Sequence, residues 1–261
     1  MTELREERLG RVLLLTMDGP ATRNALGPAV YETGTAALLR AGGDPGIGAV
    51  VLGGAGGAFC SGGNLGRLAA LREEGDAAVR RGIDGLHGLI RAIRTCPRPV
   101  IAAVDGVAAG AGFSLALACD MIVSAADARF VLAYVKVGLS PDGGATAFLS
   151  HALPRHTAAA IALEGGVVTA ERLHGLGVVS ALCPPGTART AALDAAERLA
   201  GGPSAAMASI KALLNAAYGG GLDAQLDRER EAFAANLVHA DAGEGIAAFL
   251  GKRAPRFHGE G

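Results

Sequence analysis

Three glycine-rich turns carry the groups in this chain that could do chemistry: Ser61-Gly62-Gly63-Asn64, Gly110-Ala111-Gly112 and Ser140-Pro141-Asp142-Gly143-Gly144. Glycines let a ligand approach the backbone closely. A glycine turn that opens into a helix also leaves N–H groups unpaired at the positive end of the helix dipole. The expectation is a site for an anion, or for an oxyanion that forms during a reaction. Such turns also serve as plain tight connections in α/β domains, and Asp142 in its turn could be only an Asx-turn or helix cap. A dinucleotide fingerprint at Gly110-Ala111-Gly112 fails at the third glycine, where Leu115 stands. Cys60, Cys96, Cys119 and Cys183 form no C-x-x-C pair, and His87, His151, His156 and His174 have no ligand spacing, so no metal site is expected.

The elements that must position these turns read from apolar periodicity. Residues 100–104 form a continuous apolar run, a buried strand leading into the second turn, and 113–119 continue as a helix. Upstream, 11–17 and 47–52 read as strands, and 28–40 reads as an amphipathic helix closed by Gly42-Gly43. The glycine-rich loop 53–64 is followed by a mobile segment, 65–75, partly helical at 68–72. A helix at 76–94 ends before Pro97 and Pro99. Short strands at 121–124 and 129–132 precede the third turn and a helix at 145–151. The remainder reads as helices at 154–163, 170–176, 188–200, 203–218, 222–237 and 242–252, the last with capping-box spacing at Asp241 and Glu244. Strand–helix alternation followed by a helix-rich last third points to the α/β class, with ligands at the carboxyl ends of strands.

Composition narrows the classes further. The chain has 261 residues, 50% hydrophobic and 19% charged, enough for a substantial core and with little charge for the surface. That balance implies burial against further copies of itself. A formal net charge of −1 gives no reason to expect nucleic acid or an anionic membrane as partner. The charged start, MTELREERLG, lacks a signal peptide's apolar run, and no apolar stretch reaches spanning length, so a cytoplasmic protein with reduced cysteines is expected.

The three turns in this order, with Arg23-Asn24-Ala25-Leu26 before them and Ala248-Phe249-Leu250-Gly251-Lys252-Arg253 after them, resemble the crotonase superfamily, the enoyl-CoA hydratase and isomerase family. The segments 106–120 and 138–146 are the most specific part. The resemblance implies an α/β fold with a crotonase-like ββα spiral core at 1–200, carrying the CoA and oxyanion sites, and a C-terminal helical trimerisation region at 201–261. It implies an acyl-CoA substrate, no cofactor beyond the coenzyme A of that substrate, and a homotrimer or dimer of trimers. The thioester oxygen would receive the backbone N–H groups of Gly63 and Ala111, fixed donors that stabilise an enolate without reorganising. Ala111 replaces the family's usual glycine. Substrate and CoA contacts would come from Arg23, Ala25, Ser61, Gly62, Asn64, Leu65, Gly110, Ser114, Tyr134, Phe249 and Lys252. Arg23 and Lys252 would lie near the CoA phosphates, and Phe249 and Lys252 would reach a neighbouring subunit's ligand.

The acid/base groups depart from the hydratase pattern. Hydratases of the family use two glutamates, and their positions here hold Ser114 and Tyr134. Asp142 stands where isomerases of the family carry a catalytic aspartate, and the segment 136–146 resembles isomerases of phenylacetate breakdown and related oxepin-CoA enzymes. The resemblance therefore implies double-bond isomerisation with Asp142 as acid and base. Hydration of a 2-enoyl-CoA, hydrolysis or ring chemistry on a cyclic thioester, and CoA binding without catalysis stay open beside it. Ser114 could equally bond its own helix, Tyr134 could simply pack, and Asn64 could only close its loop.

Overall fold

A computed structural model describes residues 2–257. Its strands are β1 (Glu3–Leu9), β2 (Val12–Asp18), β3 (Ala49–Gly54), β4 (Val100–Val104), β5 (Val107–Ala109), β6 (Met121–Ala125), β7 (Arg129–Val131), β8 (Val167–Thr169) and β9 (Ala181–Cys183). Its helices are α1 (Pro28–Gly43), α2 (Leu65–Glu74), α3 (Asp76–Thr95), α4 (Ala111–Ala118), α5 (Ala145–Ala152), α6 (Arg155–Glu164), α7 (Ala170–Gly175), α8 (Ala188–Ala200), α9 (Ser204–Ala216), α10 (Leu222–Leu237) and α11 (Ala240–Leu250). A six-stranded sheet runs in the order β1-β2-β3-β4-β6-β9, and β5-β7-β8 make a second, smaller sheet. The α/β class holds. From β2 to β9 the larger sheet is parallel, and only β1 runs antiparallel at its edge.

The near-continuous apolar strands follow from burial on both faces. Leu13, Leu15, Val50, Leu52, Val100 and Ala102 join a core shared with α1, α3 and α4, while Val12, Leu14, Ala49, Val51, Ile101 and Ala103 face α8. Each large side chain so buried contributes about 1.5–3 kcal/mol. Helix α8 meets the sheet through Ala192, Ala195, Ala196 and Ala200, and its approach is close enough that a Cβ on Gly48 would lie 2.6 Å from Ala200 Cα.

Several elements differ from the sequence reading. Strand β1, ELREERL, carries no apolar pattern because it is an exposed edge, where charge discourages pairing with other chains; Arg40 pairs with Glu6 at 2.8 Å and Arg189 with Glu7 at 3.1 Å. Strands β5, β8 and β9 are three residues each, too short for periodicity to show. Gly42 and Gly43 belong to the last turn of α1, whose cap is Asp44. The segment expected to be mobile forms α2, capped by Asn64, whose Oδ1 accepts the Arg67 N–H at 3.0 Å. In α11 the cap is His239, with Asp241 already inside the helix, and Glu244 accepts from Arg253 instead of closing a capping box.

Helix α9 is fastened to the core by polar contacts. The Lys211 ammonium donates to the carbonyls of Ile93 (2.8 Å) and Arg98 (3.1 Å) and pairs with Asp120 at 2.6 Å. Asn215 donates to the Arg94 carbonyl at 2.7 Å. The Ile93 and Arg94 carbonyls are among those that the end of α3 leaves without intrahelical partners, and the Arg98 carbonyl belongs to the loop that follows. Burial pushes the Asp120 carboxyl above its ordinary range despite Lys211, and it also accepts the Val100 N–H at 2.8 Å. Among the described residues no helix is long and apolar enough to cross a membrane.

Candidate active site

Beyond β3 the chain turns back beside β5. Cys60 N–H donates to Val107 O (3.0 Å) and Ala109 N–H to Cys60 O (2.9 Å), bringing the first two glycine turns together. Asn24, fully buried, holds the surrounding loops: its Oδ1 accepts Gly19 N–H at 2.9 Å, and its Nδ2 donates to Ala55 O at 2.9 Å and Ala58 O at 2.7 Å. Ser61 N–H donates to Arg23 O at 3.0 Å, its Oγ to Thr22 O at 2.7 Å, and Leu26 N–H to Gly62 O at 2.7 Å. Gly62 N–H is directed to Cys60 Sγ at 3.3 Å. After this accounting the Gly63 N–H donates to nothing among the described residues.

The second turn is left in the same condition. Gly110 N–H donates to Val131 O at 2.8 Å, and Gly110 O accepts from Phe113 and Ser114 at 3.0 and 3.1 Å. Ala111, the first residue of α4, keeps its N–H unpaired among the described residues. Glycine is required at two places here. Gly62 has φ 96°, and a Cβ on it would lie 2.7 Å from Ala109 O and 3.4 Å from Ala111 N. Gly110 has φ 51°, and its open side faces Gly62 Cα and Tyr134 Cζ, each 3.9 Å from where a Cβ would stand. Unpaired backbone donors on adjacent turns make the arrangement an oxyanion hole in chemical capability.

Asp142 faces this region from the third turn. Tyr134 Oη donates to Asp142 Oδ1 at 2.5 Å, and Ser114 Oγ donates to the Asp142 carbonyl at 2.8 Å, with 3.4 Å between the two hydroxyl oxygens. Asp142 Oδ2 has no protein partner among the described residues. Burial, then the Asp142 carboxylate beside it, push the Tyr134 phenol far above its ordinary range, so Tyr134 stays a donor. Gly143 fits against α3, where its Cβ would lie 3.4 Å from Leu86 Cδ2.

The structure brings Gly62, Gly63, Gly110, Ala111, Ser114, Tyr134 and Asp142 together. Ser61 and Asn64 are occupied in holding backbone, and Ala25 is buried behind the first turn. Arg23 is exposed next to that turn, in left-handed backbone with φ 49°. Leu65 is exposed at the start of α2. Phe249 and Lys252 lie at the exposed end of α11, and among the described residues no hydrogen bond or ion pair joins them to the three turns. Sequence reasoning passed over Asn24 as a loop residue, and over Tyr31 and Arg67, which flank the site from α1 and α2. A usable signal existed for Tyr31: the chain has only three tyrosines, and two of them act on or feel Asp142. The four cysteines are unpaired, and Cys60, Cys96 and Cys119 are buried. Among the described residues no group of His, Cys, Asp and Glu could hold a metal ion.

Comparison with known proteins gives this geometry a context. A family model described as "Enoyl-CoA hydratase/isomerase" matches residues 7–260. The 1,2-epoxyphenylacetyl-CoA isomerase of Escherichia coli (strain K12) is 34% identical over 95% of this chain and 95% of its own. The 2,3-dehydroadipyl-CoA hydratase of the same organism is 35% identical over 99% of this chain and 100% of its own. The crystal structure of an enoyl-CoA hydratase from Polaromonas sp. JS666 superposes with a TM-score of 0.96 at 48% identity, covering 98% of this chain and 100% of that one.

Proposed function

We propose, from the premise that this chain belongs to the enoyl-CoA hydratase/isomerase family and acts on CoA thioesters, that it migrates the double bond of an enoyl-CoA. Asp142 is the single acid and base, and the Gly63 and Ala111 N–H groups receive the thioester oxygen. The observation that carries this reading is the state of positions 114 and 134: neither holds a carboxylate, and both hydroxyls are turned onto Asp142.

In the reaction the Asp142 carboxylate removes a proton from the α carbon of a 3-enoyl thioester. The C–H electron pair moves into a dienolate whose negative charge rests on the thioester oxygen. One preorganised donor at such an oxygen is worth about 2.7–4 kcal/mol. The carboxylic acid so formed returns the proton to the γ carbon, and the double bond ends between the α and β carbons. Tyr134 keeps its own proton throughout and holds Asp142 in place. Positioned proton transfer of this kind contributes roughly 10²–10⁴-fold.

The substrate contacts proposed with this reading are Arg23 and Lys252 for CoA phosphates, with Phe249 and Lys252 serving a neighbouring subunit of a trimer or dimer of trimers in the cytoplasm. Hydration is the second reading, favoured by the hydratase relative and the hydratase structure among the comparisons. It would have to work with Asp142 alone activating water. A 3-enoyl-CoA and a 2-enoyl-CoA incubated separately in heavy water and followed by mass spectrometry separate the two. The expected products are migrated double bonds with incorporated deuterium and no added water. Rapid formation of 3-hydroxyacyl-CoA would overturn isomerisation. Asp142→Asn should abolish exchange while CoA binding persists.

A further inference from the structure

Helices α1, α2 and α3 line an open-sided cavity of about 330 Å³ that the turn chemistry does not use. Two donors reach it. Tyr31 is only 8% exposed, yet its hydroxyl has no hydrogen-bond partner among the described residues. Arg67 lines the same cavity from the first turn of α2, and among the described residues its guanidinium makes neither a hydrogen bond nor an ion pair. Its floor is α3, where a Cβ on Gly85 would lie 3.1 Å from the Tyr31 ring and one on Gly82 would lie 3.0 Å from Leu71 and 3.8 Å from the Arg67 guanidinium. The next residue along, Leu86, would lie 3.4 Å from a Cβ on Gly143, so α3 runs past both the cavity and the turn that carries Asp142. Tyr31 feels that proximity: burial first, and the Asp142 charge second, push its phenol up to about 12, which keeps it a donor.

We infer that this cavity receives the far end of the acyl group and selects one that ends in an oxygen acceptor, a carboxylate above all, through the Tyr31 hydroxyl and the Arg67 guanidinium. The inference rests on the proposed reading in one respect, that the acyl chain leads away from Asp142. A plain hydrocarbon end would strip water from both donors and offer them nothing, a cost of roughly 1–3 kcal/mol for each one left unpaired. An oxygen acceptor satisfies both, and a carboxylate takes the guanidinium in a charge-assisted bond. Glu32, Glu74 and Arg81 also line the cavity and are exposed, so with Arg67 the charges balance and no long-range field draws anions in. Discrimination therefore acts at hydrogen-bond range, while Leu71 and Ala78 supply apolar wall for the methylenes in between.

The test is calorimetric binding of three saturated thioesters, adipoyl-CoA, 6-hydroxyhexanoyl-CoA and hexanoyl-CoA, to the wild-type protein and to Arg67→Gln and Tyr31→Phe. Saturated ligands undergo no isomerisation, so the outcome is independent of the exchange assay that judges the isomerase reading. Adipoyl-CoA is expected to bind about tenfold to hundredfold tighter than hexanoyl-CoA, with the hydroxy compound between them. Within each variant the ratio of adipoyl to hexanoyl affinity is read. Arg67→Gln should collapse it, and Tyr31→Phe should reduce the advantage of both oxygenated ligands. The inference is overturned if hexanoyl-CoA binds the wild type as tightly as the other two, or if the variants weaken all three alike.

Discussion

Replacing Tyr134 by Phe isolates one hydrogen bond. The ring, and with it the surface facing Gly110, is kept, and Ser114 still holds the Asp142 carbonyl at 2.8 Å. What is lost is the donor at 2.5 Å from Asp142 Oδ1. A hydrogen bond to a charged group contributes about 1.5–3 kcal/mol, which corresponds to roughly a tenfold to hundredfold effect on an equilibrium or a rate. The sign follows from what the bond does in the proposed reaction: the donor holds the Asp142 carboxylate in place for the α proton. Without it kcat for α-proton exchange should fall by about that factor, while a saturated acyl-CoA should bind the variant as it binds the wild type. The assay is deuterium incorporation into a 3-enoyl-CoA by wild type and variant, beside calorimetric binding of the saturated thioester. Wild-type exchange in the variant, or a loss confined to binding, would refute the reasoning, because either would leave Tyr134 a packing residue.

Gly62→Ala should cost about 10²–10³ in kcat through a displaced oxyanion turn, since its Cβ would lie 2.7 Å from Ala109 O at φ 96°; wild-type turnover in this variant would count against the two-donor site. Lys211→Met should destabilise the fold by about 3 kcal/mol in urea unfolding, at the low end for breaking a buried pair because the Asp120 side chain is 20% exposed. Alkaline pH should weaken the protein, because burial raises several thiols and phenols, and two of them define the window. Burial raises Cys60 from 9.0 to about 12, and burial together with Asp142 raises Tyr31 from 10.0 to about 12. Both groups ionise more readily once unfolded, so stability is full below pH 9 and falls as pH climbs toward 12. A urea midpoint that stays level from pH 7 to about 11 would contradict this account.

What could be read from residues alone was the part governed by local rules. Strand β4 and the Ala-rich α8 announce themselves by apolar content and length, and the two donor turns by their glycines. Strand β1 was invisible because its stability comes from pairing with β2 and from ion pairs across to α1 and α8, none of which imposes a pattern on ELREERL. Asn64 caps a helix, a role that depends on α2 forming where the charged composition suggested mobility. The contact between Tyr134 and Asp142 was beyond reach for a different reason. The two are joined by a 3-10 turn at Ala133–Val137 and a loop, and the direction of each side chain depends on packing against Gly110 and α3.

One oxygen of the Asp142 carboxylate is engaged by Tyr134, and the other is open. A base with a single working oxygen, fixed by a neighbour on its far side, serves one face of a planar dienolate. In the proposed isomerisation, proton removal and return then occur on the same face of the carbon chain, and the hydrogen that leaves the α carbon can be the one that arrives at the γ carbon. A substrate stereospecifically deuterated at the α carbon should therefore keep part of its label in the product, the share set by how slowly solvent exchanges with the protonated Asp142.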